Sequence, residues 1–128
     1  MIPFRCVLEA GTPAHEQVAF AARKAIVSGK LRPGDAFPSV RALSKAIKIH
    51  ANTAQKVVGQ LVAEGLLEVR PVIGTVVCEP PAGQRSDRTR LLNRDVEQLT
   101  VEAMRLGLRL DEVQAAVSAS WRRLEEEP

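Results

Sequence analysis

The sequence predicts a mainly α-helical chain with one small β-hairpin, split into an N-terminal head and a short helical appendage. Three observations carry this. Apolar residues recur at spacings of three and four in five separate stretches, and the period falls to two only around residues 67–77. Between head and appendage, residues 79–87 (EPPAGQRSD) forbid a regular element through Pro80, Pro81 and Gly83. The expected division is a head over 1–78, a linker over 79–87 and a two-helix appendage over 88–128. With 128 residues, 45% of them hydrophobic and 26% charged, the chain has room for one compact domain plus an appendage, and two large domains are excluded.

Pro13 after Thr12 suits the first turn of a helix, with Thr12 as its N-cap and Gly29 as its stop. Val18, Ala22, Ala25 and Ile26 make the buried stripe of this first helix, predicted over residues 13–28. A second, short helix opens at Pro38-Ser39: Ser39 caps it, Val40, Leu43 and Ile47 face inward, and Arg41, Lys45 and Lys48 form an outward row at i, i+4 and i+7. The third helix begins near His50 or Ala51 and ends at Gly65. Its inward stripe is Ala54, Val57, Val58 and Leu61, while Asn52, Thr53, Lys56, Gly59 and Gln60 give the other face no large apolar residue. Then Leu67 and Val69, followed by Thr75, Val76 and Val77, flank a Pro71-Val72-Ile73-Gly74 tip, which fits two antiparallel strands. Three helices and a hairpin in this order, with a tight turn around Lys48-Ile49, make a winged helix-turn-helix.

Beyond the linker, Leu92, Val96, Leu99, Ala103 and Leu106 form one heptad-like stripe, and Leu110, Val113, Val117, Trp121 and Leu124 form a second after a break at Gly107. Two helices are predicted, over residues 89–106 and 110–126. Helices this short cannot bury both stripes against each other, so a second subunit is the expected cover and the stripes are the expected dimerisation surface. The plainer alternative is an intrachain core only.

The formal net charge is only +3, from 18 Lys and Arg against 15 Asp and Glu. Its distribution is more informative. Before Pro80 there are ten cations against six acids, and after it eight against nine. Residues 36–63 hold Arg41, Lys45, Lys48, Lys56 and His50 with no acid at all, a local basic surface.

Several functional classes fall away. Cys6 and Cys78 cannot build a multi-bridge scaffold, and no Cys/His cluster offers the four ligands of a structural zinc. They read as small apolar residues in a reduced, cytoplasmic setting, and no cofactor or metal is expected. No apolar run is long enough to span a bilayer. Three Phe, one Trp and no Tyr are too few for base stacking on single strands. No paired nucleophile and base and no phosphate-cradling glycine loop appears, which removes an enzyme and leaves no catalytic residue to name. His15 is read as a packing residue.

The stretch from Leu31 to Leu43 (LRPGDAFPSVRAL), then Asn52-Thr53, Leu61 with Glu64-Gly-Leu-Leu67, and Gly74-Thr-Val-Val77 closely resembles the GntR family of bacterial transcription regulators. The resemblance spans residues 13–77, and its most specific part is Pro33-Gly-Asp with Pro38-Ser-Val-Arg41. A remainder of about 45 residues in two helices resembles the YtrA subfamily; the larger effector-binding or aminotransferase-like domains of other branches have no room here. The resemblance implies a homodimeric repressor-type regulator acting on a double-stranded DNA operator. Two places depart from the family pattern. The recognition helix starts His50-Ala51-Asn52-Thr53-Ala54, where an Arg that reaches guanine is replaced by Ala51. The wing reads Arg70-Pro71-Val72-Ile73-Gly74 instead of Arg-Arg-Gly-x-Gly.

In such a protein a helix enters the major groove while cations on neighbouring elements neutralise phosphates and set register. Base-edge reading falls to Asn52, Thr53 and Lys56, joined by His50 and Gln55, whose donors suit adenine and guanine edges. By family analogy Arg41 reaches a phosphate or a guanine. Lys45, Lys48 and Arg70 position the backbone, Ser39 donates to phosphate as well as capping its helix, and Gly74 lets the wing come close. The plainer alternatives are an ordinary solvated helix face for the basic row and simple helix-start caps for Asn52 and Thr53. The main rival function is a winged helix that has lost DNA binding and pairs with another regulator. The sequence identifies no effector, and two helices hardly enclose the 300 to 1,000 Å³ of a typical ligand pocket.

Overall fold

The computed structural model describes residues 2–79 and 85–126. The described residues form two compact units, one within Met1–Pro81 and the other within Ala82–Glu125, with Glu126 grouped outside the second.

In the first unit, helices α1 (Ala14–Val27), α2 (Val40–Ile47) and α3 (Ala51–Ala63) precede an antiparallel hairpin of β1 (Leu67–Arg70) and β2 (Gly74–Val77). Both α1 and α2 pack on α3, whose stripe of Ala54, Val57, Val58 and Leu61 is buried as its spacing predicts. Against it lie Val18, Ala22, Ala25 and Ile26 of α1 and Leu43 of α2, with Val40 and Ile47 partly buried at the edge. Helix α3 ends in a Schellman motif, in which the N–H groups of Gly65 and Leu66 reach back to the carbonyls of Val62 and Leu61; Gly65, at φ +79°, supplies the left-handed residue this needs.

The start of α1 differs from the sequence expectation. Pro13, not Thr12, is the N-cap, with ψ 138°, and no side chain caps the helix. Proline has no N–H and its fixed φ tolerates this extended junction, so the chain turns helical one residue later. Thr12 instead offers its carbonyl to the Gln17 amide, which also exchanges two 2.8 Å bonds with the backbone of Glu9 and straps the N-terminal arm to α1.

The arm before α1 carries no periodic signal in the sequence. Phe4 is buried and stacks on Phe37, with ring centroids 5.9 Å apart, and Ile2 and Cys6 pack on the same core. A second tie joins α1 to the end of α3, where Arg23 donates two 2.9 Å bonds to the Glu64 carboxylate. This arrangement draws the Glu64 carboxyl below its ordinary range.

The hairpin departs from strict alternation. In β1, Leu67 is buried but Val69, which period two would place on the same face, is 62% exposed; in β2, the consecutive Val76 and Val77 are both buried. The cause is a third chain segment beside β2. Ala36 bridges Val76, the Gly34 N–H donates to the Val77 carbonyl, the Val77 N–H to Asp35, and the Phe37 N–H to Thr75. The Asp35 carboxylate in turn accepts from the Arg32 N–H and shapes the Pro33-Gly34 turn.

In the second unit, α4 (Arg85–Arg90), a π-helical turn (Leu91–Asp95) and α5 (Val96–Arg105) follow one another, and α6 (Leu110–Glu126) follows after Gly107. The helix therefore takes in Arg85, Ser86 and Asp87, which the linker reading left outside it, and is interrupted by a π-turn that apolar spacing does not reveal. Residues 80–84 of the expected linker lie outside the described residues. At Gly107, φ +78°, the N–H groups of Gly107 and Leu108 reach the carbonyls of Met104 and Ala103, a second Schellman end. Among the described residues of this unit only Ala103 is buried; Leu92, Val96, Leu99, Leu106, Val117 and Trp121 are exposed, and Val113 and Leu124 are partly so. Leu99, Ala103, Leu106, Leu108, Val113 and Val117 line an apolar groove of about 480 Å³. Among the described residues, no helix is long and apolar enough to cross a membrane.

Candidate nucleic-acid interface

Helix α2 starts where Ser39, extended at ψ 161°, accepts a 3.1 Å bond from the Ala42 N–H on its hydroxyl oxygen. The acceptor role completes the cap and leaves the hydroxyl proton free to donate outward. Arg41 and Lys45 project from the helix and are exposed. Lys48 is not on it: α2 ends at Ile47, and Lys48 is a left-handed C-cap with φ +61°. The outward row is thus two helical cations and a third at the turn. The turn itself is closed twice between Ser44 and Ile49, by the Ile49 N–H on the Ser44 carbonyl and by the Ser44 hydroxyl on the Ile49 carbonyl.

His50 then begins α3. Its Nδ1 accepts a 3.1 Å bond from the Asn52 N–H, so the neutral ring carries its proton on Nε2, facing away from the backbone. Sequence reasoning missed this capping role, because histidine is not among the usual N-cap residues. Asn52, Gln55 and Lys56 are exposed on the first two turns, and Thr53 is partly buried. Among the described residues, the side chains of Arg41, Lys45, Lys48, Asn52, Thr53, Gln55 and Lys56 make no hydrogen bond or ion pair with one another or with the rest of the chain. A polar surface without internal partners, free of acids over residues 36–63, is open to an external acceptor.

At the wing, Arg70 lies at the end of β1 with Nη2 3.6 Å from Glu68, both exposed. Gly74, φ +104°, faces Arg70 across the ladder with nothing near where a side chain would stand. Val72 at the tip has φ +72°, an outlier for a β-branched residue that costs about 1–3 kcal/mol. Cys78 lies at the wing root with Sγ 3.7 Å from Glu68. Burial and that carboxylate push its thiol up, and burial does the same for Cys6, which disfavours the thiolate at both.

The pattern described as "Bacterial regulatory proteins, gntR family" matches residues 14–77, the whole span from α1 to β2. The chain belongs to the GntR family. It is a transcriptional regulator with a DNA-binding domain, as the charge and geometry of the head suggest. Among its relatives is the HTH-type transcriptional repressor YtrA of Bacillus subtilis, 28% identical over 103 residues that cover 80% of this chain and 79% of that protein. A crystal structure of a transcriptional antiterminator from Listeria monocytogenes has a TM-score of 0.83 over 97% of this chain and 93% of that one; at 16% identity it shows the fold alone. The DNA-binding domain of AraR in complex with operator ORX1 is 29% identical, with a TM-score of 0.51 over 56% of this chain and 87% of that one.

Proposed function

We propose that this GntR-family regulator is a repressor that binds a palindromic operator as a homodimer. The observation that carries the reading is the acid-free surface of α2 and α3, where Arg41, Lys45, Lys48, Asn52, Gln55 and Lys56 are exposed with no internal partner. In this reading Asn52, Thr53, Lys56, His50 and Gln55 face base edges. Ser39, Arg41, Lys45, Lys48 and Arg70 hold phosphates, and Gly74 lets the wing approach. Residues 1–78 act as the reading head, 79–87 as the connection and 88–128 as the pairing part. Two-fold pairing through the exposed stripes of the second unit implies two half-sites in the operator. The similarity to a curated repressor supports the sign of regulation, and the operator complex of AraR supports duplex DNA as the partner.

Footprinting on the DNA upstream of its own gene tests this, with the salt dependence of binding measured on the protected duplex. Two protected half-sites about one helical turn apart are expected, with affinity falling steeply with salt. Binding that is absent, or flat in salt, removes the reading. Lys56→Ala is expected to weaken operator binding by about 1 to 3 kcal/mol and relax the preference at one base pair.

A further inference from the structure

The contacts assigned to α2 and α3 leave one prominent part of the head unexplained. At the wing tip Val72 is fully exposed, at 107%, Ile73 is 70% exposed, and Pro71 beside them is exposed too. The backbone at Val72, φ +72°, is one that glycine adopts freely and a β-branched residue resists. The turn holds a glycine-type conformation although its side chains are branched and apolar. Its base is held firmly by the four-residue β ladder and by the segment from Gly34 to Phe37 along the other edge of β2. Backbone strain at an exposed, well-supported tip is a reason to look for a function there.

We propose that Val72 and Ile73 form an apolar wedge that enters the minor groove of the operator duplex, opens one base step and bends the DNA. The proposal rests on the DNA-binding reading above and adds a contact that reads deformability, not hydrogen-bonding edges. Shape favours a groove over a protein surface. The hairpin ends in the exposed side chains of Val72 and Ile73, small enough to enter a groove about 6 Å wide without the strands behind them following. A stable protein interface needs roughly 800 Å² per partner, and three tip residues do not supply it. Chemistry agrees, because branched apolar side chains and proline are the groups that wedge between stacked bases, whose faces are themselves apolar. Arg70, at the strand end next to the tip, is placed to exchange its exposed pairing with Glu68 for a flanking phosphate. The sequence preference that results is for a pyrimidine–purine step under the wing, since such steps unstack most readily.

The test uses the full chain and a duplex of about 30 base pairs, selected by that chain from a random library and dye-labelled at both ends for energy transfer. The native chain is expected to bend this duplex within the range of about 20–90° that wedge residues produce. The double variant V72G/I73S, in which glycine accepts the observed φ, is expected to leave it nearly straight and bind about tenfold more weakly. Its salt slope is expected to be unchanged, because no phosphate contact is removed. A thermal melt no lower than that of the native chain shows that the variant folds. A native complex with straight DNA, or a variant that keeps both bend and affinity, overturns the wedge and hands the tip to a protein partner while the DNA-binding reading survives. If no duplex is selected at all, that reading falls and the wedge with it.

Discussion

The head and the appendage are built from similar amphipathic helices, yet one is finished and the other is not. In the head, α3 has neighbours on two sides and its stripe of Ala54, Val57, Val58 and Leu61 is excluded from water, with Leu61 at 0% exposure. In the appendage, equally regular stripes leave Leu92 at 67% and Trp121 at 66%, and only Ala103 is buried among the described residues. The head adds non-local ties that a helix pair lacks: the Phe4 and Phe37 stack, the Arg23 and Glu64 pair, and a segment hydrogen-bonded along β2. A helix stripe is only a request for a partner, and whether the same chain answers it depends on how many elements converge there.

The largest expected effect falls on the finished side. Leu61→Ala removes a fully buried side chain from the centre of the head and is expected to cost about 2–5 kcal/mol, read as a large drop in melting temperature. A loss under 1 kcal/mol would mean that the head is looser than its burial indicates.

Val117→Asp probes the unfinished side. It places a charge on the groove lined by Leu99, Leu106 and Val117, and under the proposed pairing of two copies through this groove it is expected to shift the chain from dimer to monomer in sedimentation equilibrium. The head should melt as before. Full burial of such a side chain contributes roughly 1.5–3 kcal/mol, so an unchanged mass would show that the stripes are not the pairing surface.

Glu64→Gln gives the smallest effect. The pair with Arg23 is about one third exposed and screened by solvent, so about 0.5 kcal/mol is expected at neutral pH. The sign follows from the lowered carboxyl. Its contribution is fully present above the unfolded carboxylate range and disappears as pH falls through the depressed folded value, so native and variant stabilities should converge in acid. A gap that persists or widens there would exclude this account.

Much of the head was legible because each signal was local and had a physical cause. Ser39 announced its cap, Gly65 its helix end, and the 3.6-residue spacing its buried stripe. What was missed came from contacts distant in sequence or from unusual local choices. The arm around Phe4 has no period of its own and gains its place only by stacking on Phe37. Val76 and Val77 break alternation because of Ala36, forty residues earlier. Lys48 left the helical row because a lysine took a left-handed cap, and the π-turn over Leu91–Asp95 has no apolar signature. The site residues follow the same division: their exposure on α2 and α3 was readable, whereas the capping role of His50 and the strain at Val72 were not.

Composition and spacing by themselves determined a three-helix head with a hairpin, an acid-free polar surface on it, and two apolar helices in need of cover, because periodicity and charge depend only on neighbours along one element. Tertiary structure alone decided which side chains that surface leaves unpartnered, what holds the wing upright, and that its tip presents two apolar residues on a strained turn, because those properties arise where distant segments meet.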